Sequence, residues 1–168
     1  MKTKKESKTK TPQLEVVNDI FMVEKNSRRL VSLKPDIKEA PENMVIPEGI
    51  EIIGPDIFVS KNKFQCSNIK SVKFPDSLKK IENNAFFRCT NLTDIQFGNG
   101  LECIGKIAFA SCRGLEEIVL PDSLRVIESQ AFMDCSKLKN VVFNEGLQVI
   151  EWSAFYICKN LNEFVLPK

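Results

Sequence analysis

The chain has 168 residues, 43% of them hydrophobic and 27% charged, which is an ordinary composition for one folded domain. Seven glycines and eight prolines exclude a collagen-like protein, and no apolar run approaches the roughly 18 residues that span a bilayer. Histidine is absent, so the commonest general base and metal ligand is missing, which argues against much hydrolytic chemistry.

The first predicted segment is a disordered lysine-rich tail, residues 1–12. Residues 1–11 contain five lysines and one glutamate, a local charge of +4, so the net charge of +2 leaves the rest of the chain at −2. This distribution predicts no nucleic-acid partner, and weak attraction to anions or a membrane surface is the alternative role for the tail. No apolar stretch follows the lysines as in a signal peptide, which predicts a cytoplasmic location; the alternative is the cell surface or secretion, with a signal outside this sequence.

A repeat of 23 residues dominates the chain after the tail. Four segments of equal length share one pattern, namely residues 75–97, 98–120, 121–143 and 144–166. An earlier copy, residues 47–74, has five extra residues between Phe58 and Cys66, where we expect a bulging loop. The region 47–168 therefore divides into five repeats.

Each repeat reads L-x-x-I-[GE]-x-x-A-F-x-x-C-x-x-L-x-x-I-x-[FL]. The spacing of Leu92, Ile95 and Phe97 predicts a short strand with an apolar inner side. Turn residues at the junctions, such as Gly100 and Gly146, predict turns, and a second short strand and a helical turn around Ala-Phe complete the unit. One unit cannot bury its apolar side alone, so the stacked units predict a solenoid.

This repeat resembles the BspA-like type of leucine-rich repeat. The preceding segment, FMVEKNSRRLVSLKP followed by MVIPEGIEIIG, resembles the hairpin cap of such arrays and places an N-terminal cap over residues 13–46. The resemblance implies an α/β fold: a right-handed, horseshoe-like solenoid with a parallel β-sheet on one face, and short helical turns and second short strands elsewhere. It also implies a non-enzymatic role in adhesion or protein recognition.

Five of the six cysteines occupy one position of the repeat. They are Cys66, Cys89, Cys112, Cys135 and Cys158. This predicts a ladder of buried thiols about 4.8 Å apart, with Cβ directions that suit disulfides poorly. Partial oxidation and a metal site are the alternatives, although a spacing of 23 residues is not that of a zinc site. Cys103 takes a position that Lys80 also occupies, so we expect it to be the accessible thiol.

The predicted partner-binding residues form three rows on the outward side of the strands. The first row is Lys70, Thr93, Glu116, Lys139 and Asn162. The second row is Ser71, Asp94, Glu117, Asn140 and Glu163. The third row is Lys73, Gln96, Val119, Val142 and Val165. The three valines indicate either the ordinary strand preference of β-branched residues or an exposed apolar contact surface.

The last repeat contains the only tryptophan and the only tyrosine, Trp152 and Tyr156. We expect both to be partly exposed and to act as a binding anchor, the alternative being ordinary packing at the end of the array. A solenoid needs a polar capping unit, whereas this sequence ends on a core strand, which predicts either a fragment of a longer array or a homo-oligomer formed through the C-terminal repeat.

The sequence contains no catalytic motif, no cofactor-binding motif and no metal-ligand cluster. We therefore predict a non-enzymatic module that binds a protein partner, whose identity the sequence does not specify. The alternative is a structural protein that assembles with itself through the C-terminal repeat.

Overall fold

A computed structural model describes residues 12–38, 40–60, 63–64 and 66–165. For the strand residues 59, 60, 63, 64, 163 and 165 it describes the backbone only. The predicted disordered tail, residues 1–12, lies outside the described residues except for Pro12.

Sixteen short strands form within the described residues. In chain order they are β1 (Leu14–Val17), β2 (Phe21–Glu24), β3 (Arg29–Leu33), β4 (Asn43–Val45), β5 (Ile52–Ile53), β6 (Val59–Ser60), β7 (Lys63–Phe64), β8 (Ser71–Lys73), β9 (Lys80–Ile81), β10 (Asp94–Gln96), β11 (Cys103–Ile104), β12 (Glu117–Val119), β13 (Val126–Ile127), β14 (Asn140–Val142), β15 (Val149–Ile150) and β16 (Glu163–Val165). Successive coils contribute one strand to each of two sides, so the architecture is a β-solenoid of about five turns.

One side of the solenoid is an eight-stranded sheet with the order β1-β2-β3-β5-β9-β11-β13-β15. From β3 onward all neighbours are parallel. Cys103 pairs with Val126, a separation of 23 residues, whereas Ile52 pairs with Lys80, a separation of 28. The inserted segment contains the short antiparallel pair β6–β7.

The N-terminal segment is an antiparallel meander of β1, β2 and β3. Asn18 and Asp19 adopt positive φ angles of 51° and 55° between β1 and β2, a conformation that asparagine and aspartate tolerate better than most residues. Phe21, Val23 and Leu30 point inward and are at most 1% exposed. This meander occupies part of the predicted cap region, 13–46, and its action as a cap stays a prediction.

The other side of the solenoid consists of two parallel three-stranded sheets, β4-β8-β10 and β12-β14-β16. Strands β10 and β12 touch, but the strand ladders of the two sheets are separate. Strand β4 is parallel to β8, with Val45 opposite Lys73. Part of the predicted cap region therefore extends the predicted binding sheet by one strand.

The predicted helical turns around Ala-Phe are not formed, and no helix occurs in the described ranges. The fold is therefore β and not α/β. In the segment 83–88, Asn84 and Arg88 have positive φ angles of 58° and 62°, which a right-handed helix excludes. The N–H of Phe86 donates to the carbonyl of Ala108 in the next coil at 2.7 Å. Every second N–H group of the segment therefore donates a hydrogen bond to the next coil. In an α-helix, these groups would instead bond to carbonyls of the same segment.

A single apolar core runs along the inside of the solenoid. Its centre is a stack of phenylalanine rings from the Ala-Phe positions of successive coils. The ring centroids of Phe86 and Phe109 are 5.1 Å apart, and those of Phe109 and Phe132 are 5.3 Å apart, with nearly parallel planes. Phe97 contacts Phe109 edge-on at 6.1 Å. Such contacts between coils supply the stability that no single coil has.

Asn144 is the weak point of this core. Its position is held by proline in three other coils, at Pro47, Pro75 and Pro121. The side chain is 5% exposed, and its Nδ2 donates to the Pro121 carbonyl at 2.6 Å. Its Oδ1 is buried and lacks a partner among the described residues, and a buried unpaired acceptor is destabilising.

Replacing Asn144 with proline is expected to raise the free energy of unfolding by about 0.5–1 kcal/mol, because the unpaired acceptor is removed and the unfolded chain loses conformational freedom. The Pro121 carbonyl keeps its bond from the Leu124 N–H, at 3.0 Å. The matched control is Gly98→Pro, since a Cβ at Gly98 would lie 2.1 Å from the Pro75 carbonyl oxygen. Urea denaturation should show a gain for the first variant and a loss for the second; a similar loss in both would contradict the prediction.

Candidate functional site

The candidate site is the outward side of the two three-stranded sheets, which we call the sheet face. It comprises the exposed residues of β4, β8, β10, β12, β14 and β16, with the residue before each strand. Alternation along the strands orients these side chains outward, because the middle residues Val72, Ile118 and Val141 are at most 2% exposed and fill the core.

The described residues of the three predicted rows lie on this face. Lys70, Thr93, Glu116, Lys139 and Asn162 of the first row are exposed. In the second row Asp94 and Glu117 are exposed and Ser71 and Asn140 are half-buried. In the third row Lys73, Gln96 and Val119 are exposed and Val142 is half-buried. The side chains of Glu163 and Val165 are outside the described set, although their backbones pair with Asn140 and Val142.

Ion pairs along the first row join side chains of neighbouring coils. Lys70 Nζ lies 2.9 Å from Glu42 Oε2, and Lys139 Nζ lies 2.7 Å from Glu116 Oε2. The hydrogen bond from Lys139 holds the pKa of the Glu116 carboxyl below its ordinary value. Exposed ion pairs of this kind contribute little to stability. Their main effect is to fix the positions of the positive and negative side chains on the sheet face.

Two valines form the most exposed apolar parts of the sheet face. Val45 is 61% exposed and Val119 is 56% exposed, and Lys73 and Gln96 lie between them in the register of the strands. The third row is therefore apolar at both ends and polar in the middle, where the sequence indicated a change from polar to apolar. Sequence reasoning missed Val45, although M-V-I-P at 44–47 repeats the spacing of I-V-L-P at 118–121.

Trp152 and Tyr156 are 65% and 59% exposed but lie apart from the strands of the sheet face. Both belong to the turn segment 152–157, after β15 and before β16. The structure thus separates the predicted anchor from the predicted rows within the same coil.

The cysteines of the repeat are buried, except that Cys158 is partly exposed, and all six are free thiols. The thiols of Cys112 and Cys135 donate to the carbonyls of Phe86 and Phe109 at 3.2 and 3.3 Å. Burial raises the pKa of the Cys89 thiol. Over the part of the chain that is described, no group of three or more Cys, Asp or Glu side chains is arranged to hold a metal ion.

Cys103 lies on the opposite side of the solenoid, in β11, next to charged groups. Its thiol is 3.6 Å from Glu128 Oε1, and Lys80 Nζ is 3.7 Å from the same oxygen. Burial raises the pKa of the Cys103 thiol to about 11. A shallow cavity of about 220 Å³ nearby is lined by Arg29, Pro55, Lys80, Glu82 and Asn83. Its main charged groups already pair, as Arg29 does with Glu82.

Known proteins share both the repeat pattern and the fold of this chain. A model of the BspA type leucine rich repeat region matches residues 57–168 in six copies. A leucine rich cell surface protein of Faecalibacterium prausnitzii is 28% identical with a TM-score of 0.75, over 90% of this chain and 38% of that chain. A leucine rich repeat protein of T. pallidum is 26% identical with a TM-score of 0.72, over 95% of this chain and 71% of that chain.

A leucine-rich repeat protein of Bacteroides ovatus is 24% identical with a TM-score of 0.70, over 93% of this chain and 40% of that chain, and this likeness concerns the fold alone. The chain thus spans less than half the length of the first and third of these structures. A search of curated proteins found no match. Among the described residues no helix is long and apolar enough to traverse a bilayer.

Proposed function

The chain belongs to the BspA type of leucine-rich repeat proteins, and we propose that it is a recognition module that binds a protein partner through the sheet face. The observation that carries the proposal is the sheet face itself: a regular parallel backbone that presents rows of differing, exposed side chains. Two exposed valines, Val45 and Val119, lie among charged residues, as expected for an apolar contact with a polar rim.

The size of the sheet face limits the binding mode. Six strands about 4.8 Å apart, each with three outward residues, cover an area on the order of 300 Å². A standard interface buries about 800 Å² on each partner. A partner would therefore also contact the edges of the sheet, or it would bind weakly and rely on several copies acting together.

The proposed module is non-catalytic. The chain has no histidine, and the carboxylates Glu116 and Asp134 are held ionised by Lys139 and Arg113, with pKa values below the ordinary ones. A general acid or base needs a pKa near the working pH, so these two groups suit charge pairing better than proton transfer.

We place this module at the cell surface, in an adhesive role, rather than in the cytoplasm. The support is the F. prausnitzii relative, which is described as a cell surface protein. The cytoplasmic location predicted from the N-terminal sequence finds no support in the comparisons, and a scaffold role inside the cell is the competing version of the proposal.

Changing Val45 and Val119 together to aspartate is expected to weaken binding of the partner about tenfold or more, because each charge interrupts an apolar contact. Both side chains are mostly exposed, so the free energy of unfolding should change by less than about 1 kcal/mol. The partner is first captured from cell-surface extracts with immobilised wild type, and its affinity for wild type and variant is then measured by titration.

The matched control is Thr90→Asp with Gln148→Asp, which adds the same charge at exposed positions away from the sheet face. The control should bind the partner like wild type. Equal binding by both variants, or equal loss in both, would assign recognition to another surface.

A further inference from the structure

The sheet face is interrupted between β10 and β12, and we call this interruption the seam. The other neighbouring strands of the face form parallel ladders, whereas β10 and β12 belong to separate sheets. At the junction before the seam, the N–H of Thr93 donates to the Lys70 carbonyl at 2.8 Å. At the junction after it, the N–H of Lys139 donates to the Glu116 carbonyl at 2.8 Å. The corresponding bond across the seam, from the Glu116 N–H to the Thr93 carbonyl, is not formed, although both residues are described.

Side chains of the core are less well covered at the seam than elsewhere on this face. Ile95, the middle residue of β10, is half-buried, whereas the middle residues of the flanking strands, Val72 and Ile118, are 1% and 2% exposed. Phe97, which follows β10, is also half-buried, although Leu120 at the same repeat position is 4% exposed. Solvent therefore reaches the edge of the core between β10 and β12.

Charges on the two strands explain why the seam stays apart. Asp94 and Glu117 occupy the same repeat position on β10 and β12, and both are exposed carboxylates. Like charges on facing positions of neighbouring strands destabilise their pairing. At the next junction Lys139 and Glu116 form an ion pair at 2.7 Å, whereas among the described residues no ion pair crosses the seam on the sheet face.

The same two coils are firmly joined everywhere except on the sheet face. The eight-stranded sheet is continuous here, because β9 and β11 pair in parallel. The rings of Phe86 and Phe109 stack across the junction with centroids 5.1 Å apart. At Gly98, just after β10, the two backbones are so close that an added Cβ would lie 2.1 Å from the Pro75 carbonyl oxygen. Two bodies that are bonded along one side and unbonded along the other have the geometry of a hinge.

We propose that the solenoid bends at the seam, with β9 and β11 as the hinge, so that the coils before and after it move as two bodies. Val45 and Val119 lie on opposite sides of the seam, so bending changes their separation and adapts the sheet face to the curvature of a partner. The bending is a property of the chain alone and does not depend on the proposed function. Only its effect on recognition does.

The test compares distances between two spin labels, measured by pulsed electron paramagnetic resonance, on the two sides of the solenoid. Lys70→Cys with Asn162→Cys labels the sheet face, and Glu51→Cys with Gln148→Cys labels the opposite side. All four positions are exposed, and each pair spans four strand spacings, about 19 Å. The distance distribution of the sheet-face pair should be broader than that of the other pair, with a mean longer by about half a strand spacing, roughly 2 Å.

The labelling background is Cys103→Val, Cys158→Ala, because the other four native thiols are buried. In this background Glu117→Lys places an ammonium group opposite Asp94 and is expected to close the seam, so that the sheet-face distribution becomes as narrow as the other one. The matched control is Glu145→Lys, which makes the same charge change at an exposed turn outside the sheet face. This control should leave the distribution broad.

Hydrogen exchange followed by NMR provides a second measurement without labels. The N–H of Phe97 should exchange at least about tenfold faster than that of Phe74, which donates to the Gln96 carbonyl at 2.9 Å. Glu117→Lys should reduce this difference. The proposal is overturned by equally narrow distributions for both label pairs, which would mean a rigid seam, or by equally broad ones, which would mean flexibility of the whole array. Equal exchange of the two amides, or an equal response to both lysine variants, would also overturn it.

Discussion

Replacing Phe109 with alanine is expected to lower the free energy of unfolding by about 3–5 kcal/mol, the range for a fully buried phenylalanine. Phe109 is 0% exposed, and its ring stacks on Phe86 and Phe132. Each coil of a solenoid depends on its neighbours, so a cavity in a central coil weakens the contacts on both of its sides. Urea denaturation followed by circular dichroism measures the loss.

The matched control is Phe155→Ala, at the same repeat position in the last coil. Phe155 stacks on Phe132 at 5.3 Å but is only partly buried, so its removal should cost clearly less than that of Phe109. Equal losses would mean that the stack of rings does not transmit stability along the array.

In the native protein, a thiol reagent is expected to modify Cys158 about tenfold or more faster than Cys103 near neutral pH, because the thiolate is the reacting form and its intrinsic nucleophilicity falls only partly with its pKa. The hydrogen bond with Cys135 lowers the pKa of the Cys158 thiol below its ordinary value of 9.0. Burial raises the pKa of the Cys103 thiol to about 11, and each pH unit below the pKa lowers the thiolate fraction about tenfold. Both side chains are partly exposed, so the pKa values decide the order.

Peptide mass spectrometry after timed alkylation measures the two rates, and Cys158→Ser should remove the fast phase. As pH rises, modification of Cys158 should level off at a lower pH than modification of Cys103, which should keep rising toward pH 11. This expectation replaces the one from sequence, which placed the accessible thiol at Cys103. Reaction of Cys103 first would restore the earlier prediction, and native reaction of Cys89 or Cys135 would contradict the buried ladder.

For the thiols, the sequence predicts which ones are buried but not their relative reactivity. The shared repeat position of Cys89, Cys112 and Cys135 is enough to predict that they are buried in a ladder, because equivalent positions of stacked coils have equivalent surroundings. The relative reactivity of Cys103 and Cys158 depends on the hydrogen bond between Cys158 and Cys135 and on the burial of Cys103, and the repeat pattern specifies neither of these.

For the candidate site, too, the sequence predicts some features and the tertiary structure determines others. Alternation along each strand predicts that Asp94, Glu117 and Val119 point outward, since their neighbours in sequence are the regular apolar positions. The contribution of Val45 and the extent to which Val142 is covered follow from the pairing of β4 with β8 and of β12 with β14. These pairings join residues that are distant in sequence.

The amino-acid sequence by itself determined the solenoid, its 23-residue register and the residues of its core, because a repeated apolar pattern can be buried only by stacking identical units. Only the tertiary structure decided that the Ala-Phe segments are turns without a helix, because their N–H groups bond to the next coil, as Phe86 does to Ala108. It also decided which apolar residues stay exposed, since Val119 is 56% exposed whereas Val142, at the same repeat position, is half-buried.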